Sequence, residues 1–86
     1  MHAVELLEQS VEYAQQLGYQ VRQEWLGGVA GGACEFAGQQ WIFVDLSLDP
    51  MEQLEQVLQS IEHELLHPSE SPPASLQGYL ETRRAA

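Results

Sequence analysis

Apolar positions near the start of the chain recur at the spacing of an α-helix. Successive members of the set lie three or four residues apart, so they share one helical face. Gly18 follows the last of them, and glycine commonly ends a helix. The pattern predicts a first helix over roughly residues 3–17. Its apolar face comprises Val4, Leu7, Val11, Ala14 and Leu17.

The middle of the chain changes to strand patterning. Residues 19–25 alternate apolar and polar side chains, which is typical of a half-buried strand. Residues 33–37 predict a short second strand after a glycine-rich connection, and residues 41–46 predict the strongest strand. Because short connections favour antiparallel pairing, we expect a three-stranded antiparallel meander.

A second helix is predicted from Asp49 to about His67. Asp49 is a suitable N-cap, Pro50 suits the first helical position, and Glu52 completes a capping box. Pro68 ends the helix, because proline disfavours helical geometry in the residue before it. The predicted core stripe of this helix comprises Met51, Leu54, Val57, Leu58, Ile61 and Leu65.

These elements predict an α+β fold in the order helix, strand, strand, strand, helix, with the helices packed on one face of the sheet. The 86 residues are enough for one modest hydrophobic core. We expect residues 1–67 to form a single domain. Residues 68–86 are expected to form a proline-containing linker followed by a short helix or tail.

The charge balance narrows the classes of partner. The chain has 13 acidic residues and three basic ones, for a formal net charge of −10. Binding to nucleic acids or to anionic membranes depends on basic side chains, so neither partner is expected. No apolar run approaches the length of about 20 residues that spans a bilayer. The start of the chain also lacks the pattern of a secretion signal.

Cys34 is the single cysteine, so an internal disulfide is impossible. A lone cysteine fits a reducing compartment, and we expect a cytoplasmic location. Because the strand alternates, Cys34 shares a face with Phe36, and we expect it to be a small buried hydrophobic residue.

The strongest strand carries apolar residues on both of its faces. Ile42, Val44 and Leu46 point to one side of the strand, and Trp41 and Phe43 point to the other. One layer of helices covers only one side of a sheet, so one of the two apolar sets is expected to stay uncovered.

The uncovered set predicts an interface. We expect Trp41 and Phe43, with Tyr19 or Trp25 from the first strand, to form an aromatic patch of the kind found in interface cores. The leading hypothesis is therefore a binding or self-association module. Its partner is a second copy (a homodimer), another protein or a small apolar ligand, and no cofactor is expected.

Two loops offer weaker candidates. The pairs Gly27-Gly28 and Gly31-Gly32 are suited to hold an anion with backbone amides or to form a turn with positive φ angles. We favour the turn, because phosphate-binding loops normally join a strand to a helix. Asp45 and Asp49 raise the alternative of a cation site, although helix capping already explains Asp49.

A short motif in the second helix supports an alternative function. His63, Glu64 and His67 spell HExxH, in which two imidazoles four residues apart lie on one helical face and are able to bind one metal ion. The glutamate is then placed to activate a metal-bound water. At about 100° per residue, both histidines lie roughly 150–170° from the centre of the apolar stripe, so we expect them to face solvent.

Residues 40–67, with a strand followed by the HELLH helix, resemble the zincin metallopeptidases. The resemblance implies that His63 and His67 are zinc ligands and that Glu64 is the general base of a hydrolase. Catalytic zinc usually has a third protein ligand, and Glu81 is the best candidate in the remaining sequence. Pro68, directly after the second histidine, departs from the zincin pattern.

A broader resemblance covers residues 17–58. The segments LGYQVR, LGG, GGAC and FVDLSLDPMEQLEQVL are similar to those of small uncharacterised bacterial proteins that share a strand–glycine–strand–helix pattern. This resemblance implies a shared fold and no particular activity.

Overall fold

The computed structural model describes residues 2–28 and 31–85. Within these residues it contains helices and a three-stranded sheet, which confirms the α+β class and the predicted order of elements. The elements are α1 (Ala3–Gln16), β1 (Gln20–Glu24), β2 (Gly32–Phe36), β3 (Gln39–Asp45), α2 (Pro50–Ser60), α3 (Glu62–Leu66) and α4 (Ala74–Ala85).

The sheet is mixed, so the predicted antiparallel meander is wrong. Its strand order is β1-β3-β2, with β1 parallel to β3 and β2 antiparallel to β3. Glu24 at the end of β1 lies beside Asp45, and Gly32 at the start of β2 lies opposite Phe43. Both ends of the glycine-rich connection are therefore at the carboxyl end of β3. This connection joins the two outer strands and is not a hairpin; its residues 29–30 lie outside the described residues.

The turn between β2 and β3 fixes the register of the hairpin. Ala37 and Gly38 both have positive φ, at 54° and 78°. This is the backbone of a two-residue turn matched to the twist of paired strands. Phe36 therefore pairs with Gln39, and the antiparallel pairing continues along both strands to Gly32 opposite Phe43. The strands predicted from the sequence, residues 33–37 and 41–46, imply a turn that starts one residue later, at Gly38.

The core lies between the sheet and the helices. Ile42 and Val44 of β3 are fully buried on the helix side of the sheet. On α1 the buried face is rotated from the predicted one, so that Tyr13 is fully buried and Val4 is 52% exposed. The core residues are Leu6, Leu7, Tyr13, Ala14, Ile42, Val44, Leu54, Val57, Leu58, Ile61, Leu76 and Leu80.

The second helix is capped as predicted but is shorter. The Asp49 side chain accepts a hydrogen bond from the Glu52 amide, and Glu52 accepts one from the Asp49 amide, so the capping box is present. The helix ends at Ser60, whose hydroxyl donates to the Gln56 carbonyl at 2.7 Å. Such a bond competes with the helical backbone. A separate short helix, α3, then carries the HELLH residues.

The predicted core stripe of this region is correct at its centre. Leu54, Val57, Leu58 and Ile61 are fully buried. Met51 is 41% exposed and lies outside the core.

Helix α4 packs on the same core as the rest of the chain. Leu76 and Leu80 belong to the hydrophobic cluster. Glu55 of α2 accepts hydrogen bonds from the Arg83 guanidinium at 3.0–3.1 Å and from the Tyr79 hydroxyl at 3.0 Å. Burial raises the pKa of Glu55, but these bonds outweigh it and hold the pKa below its usual value.

Candidate functional site

The face of the sheet that points away from the helices is lined by aromatic side chains. Trp41 and Phe43 come from β3, Cys34 and Phe36 from β2, and Arg22 from β1. Together they line an open groove of about 340 Å³. We call this surface the aromatic face.

Strand geometry creates the aromatic face. Alternate residues of a strand point to the same side, so Trp41 and Phe43 both point away from the buried Ile42 and Val44. The two rings stack with centroids 6.1 Å apart and planes 15° apart. Phe36, across the hairpin, is 70% exposed. The result is a row of aromatic rings, exposed at Phe36 and half-buried at Trp41 and Phe43, on the side of the sheet that points away from the helices.

One ion pair borders the aromatic face. The Arg22 guanidinium lies 2.7 Å from a carboxylate oxygen of Glu24 on the same strand. Both side chains are substantially exposed, so the pair contributes little to stability. Because the two charges are opposite, the pair adds no net charge to this side of the aromatic face.

The predicted interface residues are only partly brought together. Trp41 and Phe43 lie on the aromatic face. Tyr19 instead packs against the core, and Trp25 is 76% exposed beyond the end of β1, outside the groove. Cys34 is exposed, so the prediction that it is buried is wrong. The reason is that its side chain points to the side of the sheet without helices.

Sequence reasoning missed Phe36 and Arg22 as members of this surface. The signal for Phe36 was the two-residue turn at 37–38, which places Cys34 opposite Trp41. Arg22 was hidden by the parallel pairing of β1, which sets it beside Phe43. No local pattern encodes this pairing, because it joins strands about 20 residues apart in the chain.

Asp45 is the last residue of β3, and its side chain makes several hydrogen bonds at this end of the sheet. Its fully buried carboxylate accepts hydrogen bonds from the Leu26 amide at 3.0 Å, the Gly28 amide at 2.6 Å and both the amide and hydroxyl of Ser47. Burial acts to raise the pKa of Asp45, but these bonds outweigh it and lower the pKa to about 2. The carboxylate holds the start of the glycine-rich connection against β3 and is a structural group. A cation bound at this position would compete with four hydrogen-bond donors for the carboxylate oxygens of Asp45.

The HELLH residues lie on the short helix α3 and at its C-cap, His67. His63 and His67 are both exposed, in agreement with the predicted orientation. Their ring centroids are 6.0 Å apart and the ring planes are inclined by 59°. His67 has a φ of −135°, so it lies just beyond the last helical turn.

A metal centre needs further ligands. Among residues 2–28 and 31–85, no group of three His, Cys, Asp or Glu side chains is placed to hold a metal ion. Glu81 is exposed on α4 and lines a groove with Tyr13 and Pro68, separate from the histidines. The zinc hydrolase stays a prediction. The zinc content of the purified protein, with and without His63→Ala, tests it.

His63 and Glu64 also border an open groove of about 410 Å³ with Tyr19 and Gln40. Burial raises the pKa of Tyr19, and the negative charge of Glu64 raises it further. The phenol therefore stays protonated at neutral pH and is not a base.

Comparison of the chain with protein-family models, curated proteins and solved structures found no match. In the part of the chain that the structure describes, each helix is too short or too polar to cross a membrane.

Proposed function

We propose that the protein is a binding module that docks an apolar segment of a protein partner on the aromatic face. The observation that carries this proposal is the row of Phe36, Trp41 and Phe43 on a sheet side without helices. Exposed aromatic patches on small soluble domains are typical of interaction sites.

The size of the sheet favours a segment over a second globular copy. Its strands of five to seven residues give a face of about 20 Å by 15 Å, or roughly 300 Å² in projection. Stable dimers bury about 800 Å² on each partner. A single extended or helical segment fits the smaller area.

The charge of the chain supports the same choice. Two copies would bring together two molecules of formal charge −10. Like charges oppose association, and the few basic residues cannot offset them. A partner with basic residues beside its apolar segment would instead be attracted.

Site-specific photocrosslinking tests this proposal. A benzophenone amino acid at position 36 is expected to crosslink to another protein in cells of the source organism, and mass spectrometry identifies the product. The same amino acid at Leu66, which is 66% exposed on α3, is the matched control.

Adding Trp41→Glu should remove the crosslink at position 36, because a charge in the groove would have to be desolvated on binding. A product that persists with Trp41→Glu, or appears equally from position 66, would refute the proposal. Crosslinking only to a second copy would assign the face to self-association.

A further inference from the structure

Strand β2 is an edge strand with free backbone groups. In the two-residue hairpin, Phe36 and Gln39 form the hydrogen-bonded pair next to the turn, and Cys34 and Trp41 form the next such pair. The intervening residues of β2, Ala33 and Glu35, therefore direct their amide and carbonyl groups away from β3. They offer donors and acceptors at the spacing that another strand would pair with.

Little protects this edge. Residues 33–36 are all exposed, and the strand carries no proline or lysine, which natural edges use against unwanted pairing. Its single charge is the carboxylate of Glu35. Strand β1, at the other edge, carries the charged pair of Arg22 and Glu24.

A groove lies on each side of the sheet along β2. On the aromatic face, Cys34 and Phe36 line the apolar groove. On the helix side, Gly32 and Ala33 line a polar groove of about 280 Å³ with Gln56, whose other walls are Gly31, Gln59 and Ser60. A strand added at β2 would send alternate side chains into these two grooves.

Extending the proposed function, we propose that β2 is the docking edge for an extended segment of the partner with alternating cationic and apolar residues. The backbone of the segment pairs with Ala33 and Glu35, and its apolar side chains lie beside Phe36 on the aromatic face. Its cationic side chains lie on the helix side, where Glu35 projects from β2. Strand addition of this kind gains affinity from backbone hydrogen bonds and specificity from the alternating grooves.

Charge complementarity selects this occupant. A lysine or arginine opposite Glu35 forms a favourable cross-strand pair. A second copy pairing through β2 would bring its own Glu35 and a net charge of −10 to the same edge. The cationic segment therefore fits where a second copy is opposed.

An end-blocked peptide of alternating lysine and valine, long enough to span β2, is the probe. Trp25→Phe protein is used, because Trp41 then becomes the only tryptophan. The peptide should shift Trp41 emission to shorter wavelength and perturb the amide resonances of Ala33 and Glu35. A peptide with glutamate in place of lysine is the charge control and should bind at least about tenfold more weakly.

Two changes test backbone pairing directly. N-methylation of all interior peptide amides should weaken binding at least about tenfold, because neither edge of the peptide then has donors for β2. Ala33→Pro should have a similar effect, because it removes an amide that faces away from β3. Glu35→Gln tests the charge pair instead, and it should weaken binding by up to about fivefold because it removes the carboxylate that faces the cationic side chains. Should Ala33→Pro fail to fold, the methylated peptide on Trp25→Phe protein gives the same answer.

Equal binding of the methylated peptide, or no change at Trp41 and β2, would overturn the inference. A dimer of the protein alone that Ala33→Pro dissociates would also overturn it. These results are distinct from failure of the proposed function, which is decided by the crosslink at position 36.

Discussion

At the scale of single residues, Asp45 is expected to make the stability of the fold depend on pH. Its folded-state pKa of about 2 lies below the unfolded-state value of about 4. Its stabilising effect is therefore complete above about pH 4 and is lost as the pH falls through about 2. We expect the Asp45 carboxyl carbon to titrate with a midpoint near 2 in an NMR experiment.

Asp45→Asn should lower the thermal midpoint at neutral pH, because the amide keeps only one oxygen for the donors of Leu26, Gly28 and Ser47. The difference from the wild type should shrink as the pH falls below 4. Asp49→Asn is the control, since asparagine is also a good helix N-cap. A carboxyl midpoint near 4 for Asp45 would contradict the anchoring role.

Residue types and local spacing predicted some features of the candidate site but not its full membership. The orientations of Trp41 and Phe43 followed from alternation in one strand. Tyr19 was wrongly assigned to the aromatic patch, because its position depends on how α1 packs against β1. Cys34 was wrongly predicted to be buried, because the sequence did not show which side of the sheet it points to. The anchoring role of Asp45 was missed, since the Leu26 and Gly28 amides that it holds come from another part of the chain.

At the scale of elements, three glycines are expected to respond differently to alanine. Gly78 lies in the middle of α4 with open space around a Cβ, so Gly78→Ala should raise the free energy of unfolding by about 1 kcal/mol. Gly28 has a φ of +79° and open space, so Gly28→Ala should cost about 1–2 kcal/mol.

Gly31→Ala should be the most damaging of the three. Gly31 has a φ of +146°, and a Cβ there would collide with the Gln56 side chain. That side chain accepts a hydrogen bond from the Asp45 amide at 2.8 Å, which would be lost if it moved. Urea unfolding of the three variants measures the ranking, and equal losses for Gly28→Ala and Gly31→Ala would contradict it.

The identity and order of the elements were largely encoded in local patterns. Periodicity predicted α1, the strands and α2, and the capping residues at 49–52 gave the start of α2 correctly. Strand pairing was not predictable in this way, because β1 pairs with residues of β3 about 20 positions later in the chain and no local pattern encodes that contact. The predicted length of α2 was too great, since the hydrogen bond from the Ser60 hydroxyl to the backbone leaves no trace in the hydrophobic periodicity.

At the scale of the whole molecule, the aromatic face and the acidic charge have separate roles in the proposed function. The described residues pack their core apolar side chains between the helices and one sheet side. The other sheet side keeps its aromatic rings available, while the net charge of −10 discourages contact between copies. The two apolar sets of β3 predicted that one side of the sheet packs on the core and that the other side stays uncovered. Homodimer formation stays a prediction.

The strand order also predicts an order of events in folding. The β2–β3 hairpin closes over two residues, whereas β1 has no partner until β3 is in place. Local hairpins form in about 1–10 μs, and contacts distant in sequence form later. We expect pulsed hydrogen exchange during refolding to protect hairpin amides before those of β1, and simultaneous protection would contradict this order. During synthesis β1 leaves the ribosome before its partner β3, so the nascent chain carries an unpaired β1 until residue 45 has emerged.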